Sequence, residues 1–258
     1  MMKIARYLGQ DGEILEGVVE GDEIEEISGL DAMLKGGRRL GAPRKLAEVQ
    51  LMPWGLARKI VIVGKNYVDH ARELASEVPK EPLLSMKPTS GLIGHGQAIV
   101  LPPQTVSGDV QHESELAVVI GKRLRRASES ECTKAIAGIT CLNDVTARDI
   151  QKREGQWTRA KGFDTFCPVG PWVVVGLDWR DLRVQCRVNG VVKQDGRTRD
   201  QVFPLPKLLS FITAGMTMEP GDLVSTGTPA GVGPLKAGDT VEVEVEGVGV
   251  LRNEVRAE

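Results

Sequence analysis

The sequence predicts a mainly β chain with short helices, an α+β fold, on three observations. Thirty glycines and fourteen prolines are dispersed rather than clustered, so they punctuate the chain throughout. The segments between them are apolar runs of strand length, several of them alternating with the two-residue period of a half-buried strand. Long amphipathic helices are scarce.

In chain order, residues 3–8, 14–19 and 24–27 read as short strands, separated by Asp11-Gly12 and Gly21-Asp22. A polar stretch from Lys35 to Lys45 follows, and residues 1–55 are predicted to form a small N-terminal β unit ahead of a main domain over 56–258. Ile60 to Val63 reads as a buried strand, and Glu115 to Gly121 (ELAVVIG) as another. Ser128 with Glu131 is a capping-box pattern that opens a helix to about Ala137, leading into a strand at Ile139–Leu142 that delivers Asn143-Asp144. Leu182, Val184, Cys186 and Val188 alternate with polar residues up to Asn189-Gly190, the pair a two-residue hairpin turn favours. Val241, Val243 and Val245 alternate with glutamates, which gives a half-buried strand near the C-terminus.

The 258 residues suit one main core with a small appendage. Lys and Arg number 33 against 35 Asp and Glu, and no window gathers the basic residues into a stripe, so nucleic acid is not an expected partner. Residues 1–30 lack the pattern of a signal peptide and no apolar run is long enough for a bilayer span, which predicts a cytoplasmic protein with no membrane partner. Cys132, Cys141, Cys167 and Cys186 show no CxxC spacing and fall within regular patterns. Buried thiols fit them best, and two disulfides are compatible with the sequence as well.

His112-Glu113-Ser114-Glu115 opens an apolar strand, where the period of two puts both glutamates on one face. Like charges side by side are tolerated if a cation lies between them, and Asp144 at another strand end offers a third oxygen. Spacing alone also describes a solvated strand edge with Asp144 as a helix cap. There is no His/Cys cluster with zinc spacing, so the metal reading is an oxygen-only site for Mg²⁺, Mn²⁺ or Ca²⁺.

His70 and Glu73 lie three apart on a short helix after a buried strand, and at that spacing a carboxylate can orient an imidazole as a general base for water. A surface ion pair is the other reading of that spacing. Arg148 and Gln151 follow Asp144 at helical spacing, and a guanidinium there could bind a substrate carboxylate. Lys161 stands between small and aromatic residues, which suits a partly buried ammonium near a reacting oxygen; an isolated lysine is otherwise simply solvated.

GKNYVDHARE, KPTSGLIG, HESELAVVIG, CLNDVTARDIQ, RAKGFDTFCPVGPW, MEPGDLVSTGTPAGVG and VEVEVEGVGVLRNEV, in this order over about residues 59–252, together resemble the fumarylacetoacetate hydrolase superfamily. The resemblance implies that family's mixed β-sandwich roll with a small N-terminal domain, usually assembled as a homodimer. It implies Glu113, Glu115 and Asp144 as metal ligands, and His70 with Glu73 as a water-activating pair on a helix that orders over the ligand. It also implies Lys161 as the active-site lysine, Arg148, Gln151 and Thr228 as substrate contacts, and Lys87 of the KP motif as a further substrate-binding residue. The implied activity is Mg²⁺-dependent cleavage of a small 2,4-dioxo acid, of acylpyruvate or fumarylpyruvate type, to pyruvate and a carboxylic acid. Isomerisation, tautomerisation or decarboxylation of a 2-oxo acid such as 2-hydroxyhepta-2,4-diene-1,7-dioate or oxaloacetate is the alternative, because the shared residues grip only the pyruvoyl head.

Overall fold

The computed structural model describes residues 1–29, 38–54 and 57–258. The chain opens with strands β1 (Met2–Leu8), β2 (Ile14–Glu20), β3 (Glu23–Ile27), β4 (Arg39–Lys45) and β5 (Leu51–Met52). Next come β6 (Ile60–Gly64), β7 (Leu83–Lys87), β8 (Leu92–Ile93), β9 (Ile99–Leu101), β10 (Val110–His112), β11 (Ser114–Ile120), β12 (Ile136–Asn143) and β13 (Thr146–Ala147). The last are β14 (Cys167–Val175), β15 (Arg183–Val188), β16 (Val191–Arg197), β17 (Leu223–Ser225), β18 (Gly233–Pro234), β19 (Thr240–Val245) and β20 (Gly249–Ala257). Short helices at Val68–Glu73, Glu129–Lys134, Arg148–Arg153 and Thr158–Lys161, and a longer one at Leu205–Gly215, are interspersed. This is the mainly β, short-helix class that the scattered glycines and prolines predict.

Among the described residues the largest sheet runs β4-β3-β2-β1-β14-β12-β11-β17-β6-β7, and a second runs β16-β15-β19-β20-β9. Their facing sides share one apolar layer: Leu116, Val118 and Ile120 of β11 meet Val184 of β15, Val243 and Val245 of β19 and Leu251 of β20, with Leu205, Leu209 and Ile212 of the longest helix closing the end. The alternate residues of β11, Ala117 and Val119, pack on the opposite face with Ile4, Val18 and Val173. A strand covered on both sides is continuously apolar, which explains the run ELAVVI. A small third sheet, β13-β10-β18, lies where the acidic motifs converge.

The Asn189-Gly190 hairpin forms as expected, with φ of 51° and 77° at the two turn residues. The Ser128–Glu131 capping box is present, but its helix stops at Lys134 and the next strand starts at Ile136, earlier than the expected Ala137 and Ile139. A helix this short gains little from its own hydrogen bonds, and the β12 ladder takes up the following residues. Arg39–Lys45, within the polar stretch, is an exposed edge strand paired with β3, while residues 30–37 of that region lie outside the described residues. Its charges fit an edge position. The N-terminal strands are joined to the large sheet through Met2↔Val175, Lys3↔Val174 and Ile4↔Val173, and the sequence boundary at 55–56 falls on residues outside the description. All four cysteines are free and buried. Burial pushes the thiols of Cys141, Cys167 and Cys186 up to about 12, so they are packing groups.

Candidate metal centre and active site

Glu113 occupies the break between β10 and β11, and Glu115 is the second residue of β11. The β11–β12 register sets Ser114 opposite Asn143 and Glu115 opposite Leu142. Two further bonds lock the strand ends: Glu113 N–H donates to Asn143 Oδ1 at 3.0 Å, and Asp144 N–H donates to the Glu113 carbonyl at 2.8 Å. The consequence is that carboxylate oxygens of Glu113, Glu115 and Asp144 all lie within 4.8 Å of one another. Each residue is at most 4 % exposed, so the solvated-edge reading fails.

Three buried acids this close are electrostatically expensive. Burial, then the charges of Asp144 and Glu113, push Glu115 well above the usual carboxylate range. Burial also works against Glu113, but Lys161 and Arg148 outweigh it and hold that carboxyl well below its usual range. Glu115 accepts from Ser225 Oγ and, at 2.7 Å, from Gly227 N–H. Gly227 has a φ of 98° and a Cβ there would sit 2.7 Å from the Asn66 Cβ, so only glycine lets this backbone reach the acid.

Lys161, buried at the end of its helix, donates to Asp144 Oδ2, to Glu113 Oε2 at 3.1 Å and to Thr146 Oγ1 at 3.0 Å. Burial disfavours its charge, yet Asp144 and Glu113 outweigh it and raise its pKa. Its ammonium lies 5.9 Å from the centroid of the Trp157 ring. Arg148 uses each of its three nitrogens, donating to Glu113 Oε1, Gln111 Oε1 and Gln151 Oε1. The structure therefore places Arg148 as a clamp on Glu113 that also lines the cavity. Thr228 Oγ1 donates to the Ser114 carbonyl at 2.8 Å and accepts from Gln194 Nε2 at 2.7 Å.

Lys87 is buried against Asp144. Its ammonium donates to the carbonyls of Val145, Lys161 and Phe166 at 2.8–2.9 Å and contacts Asp144 Oδ1 at 2.8 Å. Its three protons are committed to buried backbone, and it is not among the residues that line the cavity.

His70 is 3 % exposed, and its Nδ1 lies 3.2 Å from Glu73 Oε2. Glu73 Oε1 in turn accepts from Gly231 N–H at 3.0 Å. This pair joins a buried imidazole to a carboxylate that is itself solvent-exposed and held by backbone. Asn66 anchors the segment from below: its side chain donates to the carbonyls of Thr226 and Phe203 and accepts from Phe203 N–H.

A cavity of about 210 Å³ joins these groups, with His70, Glu113, Glu115, Arg148, Gln151, Lys161 and Thr228 on its walls. Trp157 forms one wall against Gly64, where a Cβ would be 2.6 Å from the indole. A larger cleft of about 740 Å³ lies beside the start of the longest helix, but its Asp178 and Arg180 pair with each other and it holds none of these groups.

Sequence reasoning missed Gln111, Asn143, Trp157 and Gln194. Gln194 is buried and ties three motifs together, accepting from Ser114 N–H, facing His112 Nδ1 at 2.9 Å and donating to Thr228 and the Pro229 carbonyl. Its only signal was a glutamine in a strand otherwise charged or apolar.

Residues 59–256 match the family described as fumarylacetoacetate (FAA) hydrolase C-terminal, and residues 2–53 match the Rv2993c-like N-terminal family. The chain is 40 % identical to the 2,4-didehydro-3-deoxy-L-rhamnonate hydrolase of Sphingomonas sp. (strain SKA58), over 98 % of this chain and 96 % of that one. It is 44 % identical to a mitochondrial oxaloacetate tautomerase of Homo sapiens, over 76 % and 66 %. The crystal structure of 2-hydroxyhepta-2,4-diene-1,7-dioate isomerase from Mycobacterium marinum superposes with a TM-score of 0.91 at 40 % identity, covering 100 % of this chain and 99 % of that one.

Proposed function

The chain belongs to the fumarylacetoacetate hydrolase family, and on that premise we propose that it is a Mg²⁺-dependent hydrolase that cleaves a small 2,4-dioxo acid, an acylpyruvate or fumarylpyruvate, to pyruvate and a carboxylic acid. The observation that carries this reading is the buried His70, held by Glu73 at 3.2 Å, on the wall of a cavity that it shares with Glu113 and Glu115 of the acidic triad. The triad suits a hard divalent cation: the donors are oxygens only, they lie within 4.8 Å of one another, and the raised Glu115 marks a surplus of negative charge that a cation relieves. Glu113, Glu115 and Asp144 would hold it. When bound, Mg²⁺ would gather the substrate's C1 carboxylate and C2 oxygen and offset negative charge growing on the latter.

The rest is the work of side chains. Glu73, fixed by Gly231, accepts the Nδ1 proton of His70 and so leaves Nε2 as the base. His70 Nε2 takes a proton from water as the water oxygen bonds to the substrate's C4 carbonyl carbon. The C3–C4 bond then breaks, its electron pair passes to C3, and a proton returned to C3 completes pyruvate while C4 leaves as the carboxylic acid. Lys161 contacts two acids of the triad, lines the cavity and would offset charge on the C4 oxygen. The cavity volume of about 210 Å³ favours a short acyl tail.

A second reading draws on the relatives: the human tautomerase and the mycobacterial isomerase favour proton transfer within a 2-oxo acid without attack by water. Assay of the purified protein with Mg²⁺ against acetylpyruvate, fumarylpyruvate, oxaloacetate and the heptadienedioate separates the two. Release of pyruvate from an acylpyruvate is the expected result; rapid ketonisation of oxaloacetate with no pyruvate from any acylpyruvate would establish the second reading instead.

A further inference from the structure

The triad of acids is matched by three buried cations, Lys87, Lys161 and Arg148, but the two lysines are held in opposite ways. Lys87 spends its protons on three backbone carbonyls, from Val145 after β12, Lys161 on its helix and Phe166 before β14, and meets only the rear oxygen of Asp144, Oδ1. Among the described residues that oxygen has no hydrogen-bond partner of good geometry, and the Lys87 ammonium at 2.8 Å is the charge that compensates it. Moving Lys87 would orphan three buried carbonyls at once, each at the cost of a lost hydrogen bond. Lys161 contacts Asp144 Oδ2 and Glu113 Oε2, and its one other acceptor is the Thr146 hydroxyl. It also lines the cavity, where Lys87 does not. Two carboxylates bridged by one ammonium are two ligands of a divalent cation bridged by a weaker charge.

We propose that Lys87 is a fixed positioning residue that sets the Asp144 carboxylate, whereas Lys161 is a displaceable counter-ion that bridges Glu113 and Asp144 until a divalent cation takes their oxygens and releases its ammonium toward the substrate. The inference rests on the divalent-cation reading of the triad. It resolves a conflict in that reading, since an ammonium tied to the triad cannot also serve the C4 oxygen. Loading with metal then frees the lysine, which in the metal-free protein is paired with Glu113 and Asp144.

The test is Mn²⁺ binding to the full-length protein by calorimetry, with Lys161→Met, Lys87→Met and Lys87→Arg alongside the wild type. Each methionine variant removes one positive charge, so a plain electrostatic role predicts tighter binding in both. The proposal predicts opposite signs: about tenfold tighter or more for Lys161→Met, the scale on which one neighbouring charge moves an ionic equilibrium, and weaker by a similar factor for Lys87→Met, with partial recovery in Lys87→Arg. Wild-type protein gives a readout independent of variant folding. With ¹⁵N-labelled lysine, metal-free protein should show two slowly exchanging ammonium signals, and Mg²⁺ should abolish the one missing from Lys161→Met while sparing the other. Weaker Mn²⁺ binding by Lys161→Met, or an ammonium of Lys161 still protected at saturating Mg²⁺, overturns the proposal. Failure of the wild type to bind Mn²⁺ at all overturns the cation reading with it.

Discussion

Glu115 accepts hydrogen bonds from Ser225 and Gly227 and yet is pushed above the usual carboxylate range, by burial first and by Asp144 and Glu113 next. A carboxyl whose folded pKa is raised favours the folded state at low pH and loses that contribution as pH rises through the raised value. A divalent cation competes with the same proton. The increase in thermal midpoint produced by Mg²⁺ should therefore be larger at about pH 8 than at about pH 6, with protons released on binding, and Glu115→Gln should flatten that dependence. Equal stabilisation at both pH values in the wild type would contradict it. Glu113 and Glu115 were legible from strand period because that alternation is local in sequence, although their partners Ser225, Gly227, Arg148 and Lys161 are not. Lys87 was not: its carbonyl partners lie 58 to 79 residues away, and no local pattern encodes which lysine faces them. The same holds for Gln194, whose partners sit 34 to 82 residues off.

At the scale of elements, the site is made by strand ends and short helices that are individually marginal and are fixed by buried polar side chains. Asn66 is the clearest such anchor, tying the start of the His70 helix to Thr226 and Phe203 by three hydrogen bonds. At about 1 kcal/mol net for each, with more for partners left orphaned, Asn66→Ala should cost roughly 2–4 kcal/mol. A thermal midpoint lowered by several degrees, together with faster hydrogen exchange across residues 68–76, is the expected result; exchange confined to wild-type rates in that segment would show that the helix is held otherwise. The Val184–Val188 hairpin and the apolar run of β11 were readable because turn chemistry and periodicity are sequence-local. The Leu205–Gly215 helix was overlooked, although Leu205, Leu208, Leu209 and Ile212 recur at helical spacing behind a proline. The dominance of strand patterns elsewhere hid it. Edge strand β4 was hidden by its charges, which are a property of edges and not of loops.

Over the whole molecule, the small N-terminal unit and the main domain share one sheet and one apolar layer. β1 pairs with β14, and Ile4, Val18 and Ile27 pack with Ile60, Val119 and Val173. Such continuity predicts a single cooperative unfolding transition by calorimetry, and two separable transitions would show that residues 1–55 fold as a unit of their own. The sandwich also explains why the active-site motifs, scattered from Gly64 to Gly231, meet: β6, β12 and β17 run in one direction within one sheet, and they finish at the end where antiparallel β11 begins. At that end the account stands or falls on water activation by His70. The most direct measurement is the rate of pyruvate release from acetylpyruvate with saturating Mg²⁺, for wild type and His70→Ala, with oxalate affinity recorded in parallel. Loss of a positioned general base predicts a fall of about 10²–10⁴-fold in pyruvate formation with oxalate still bound; an undiminished rate in His70→Ala would contradict the hydrolytic account.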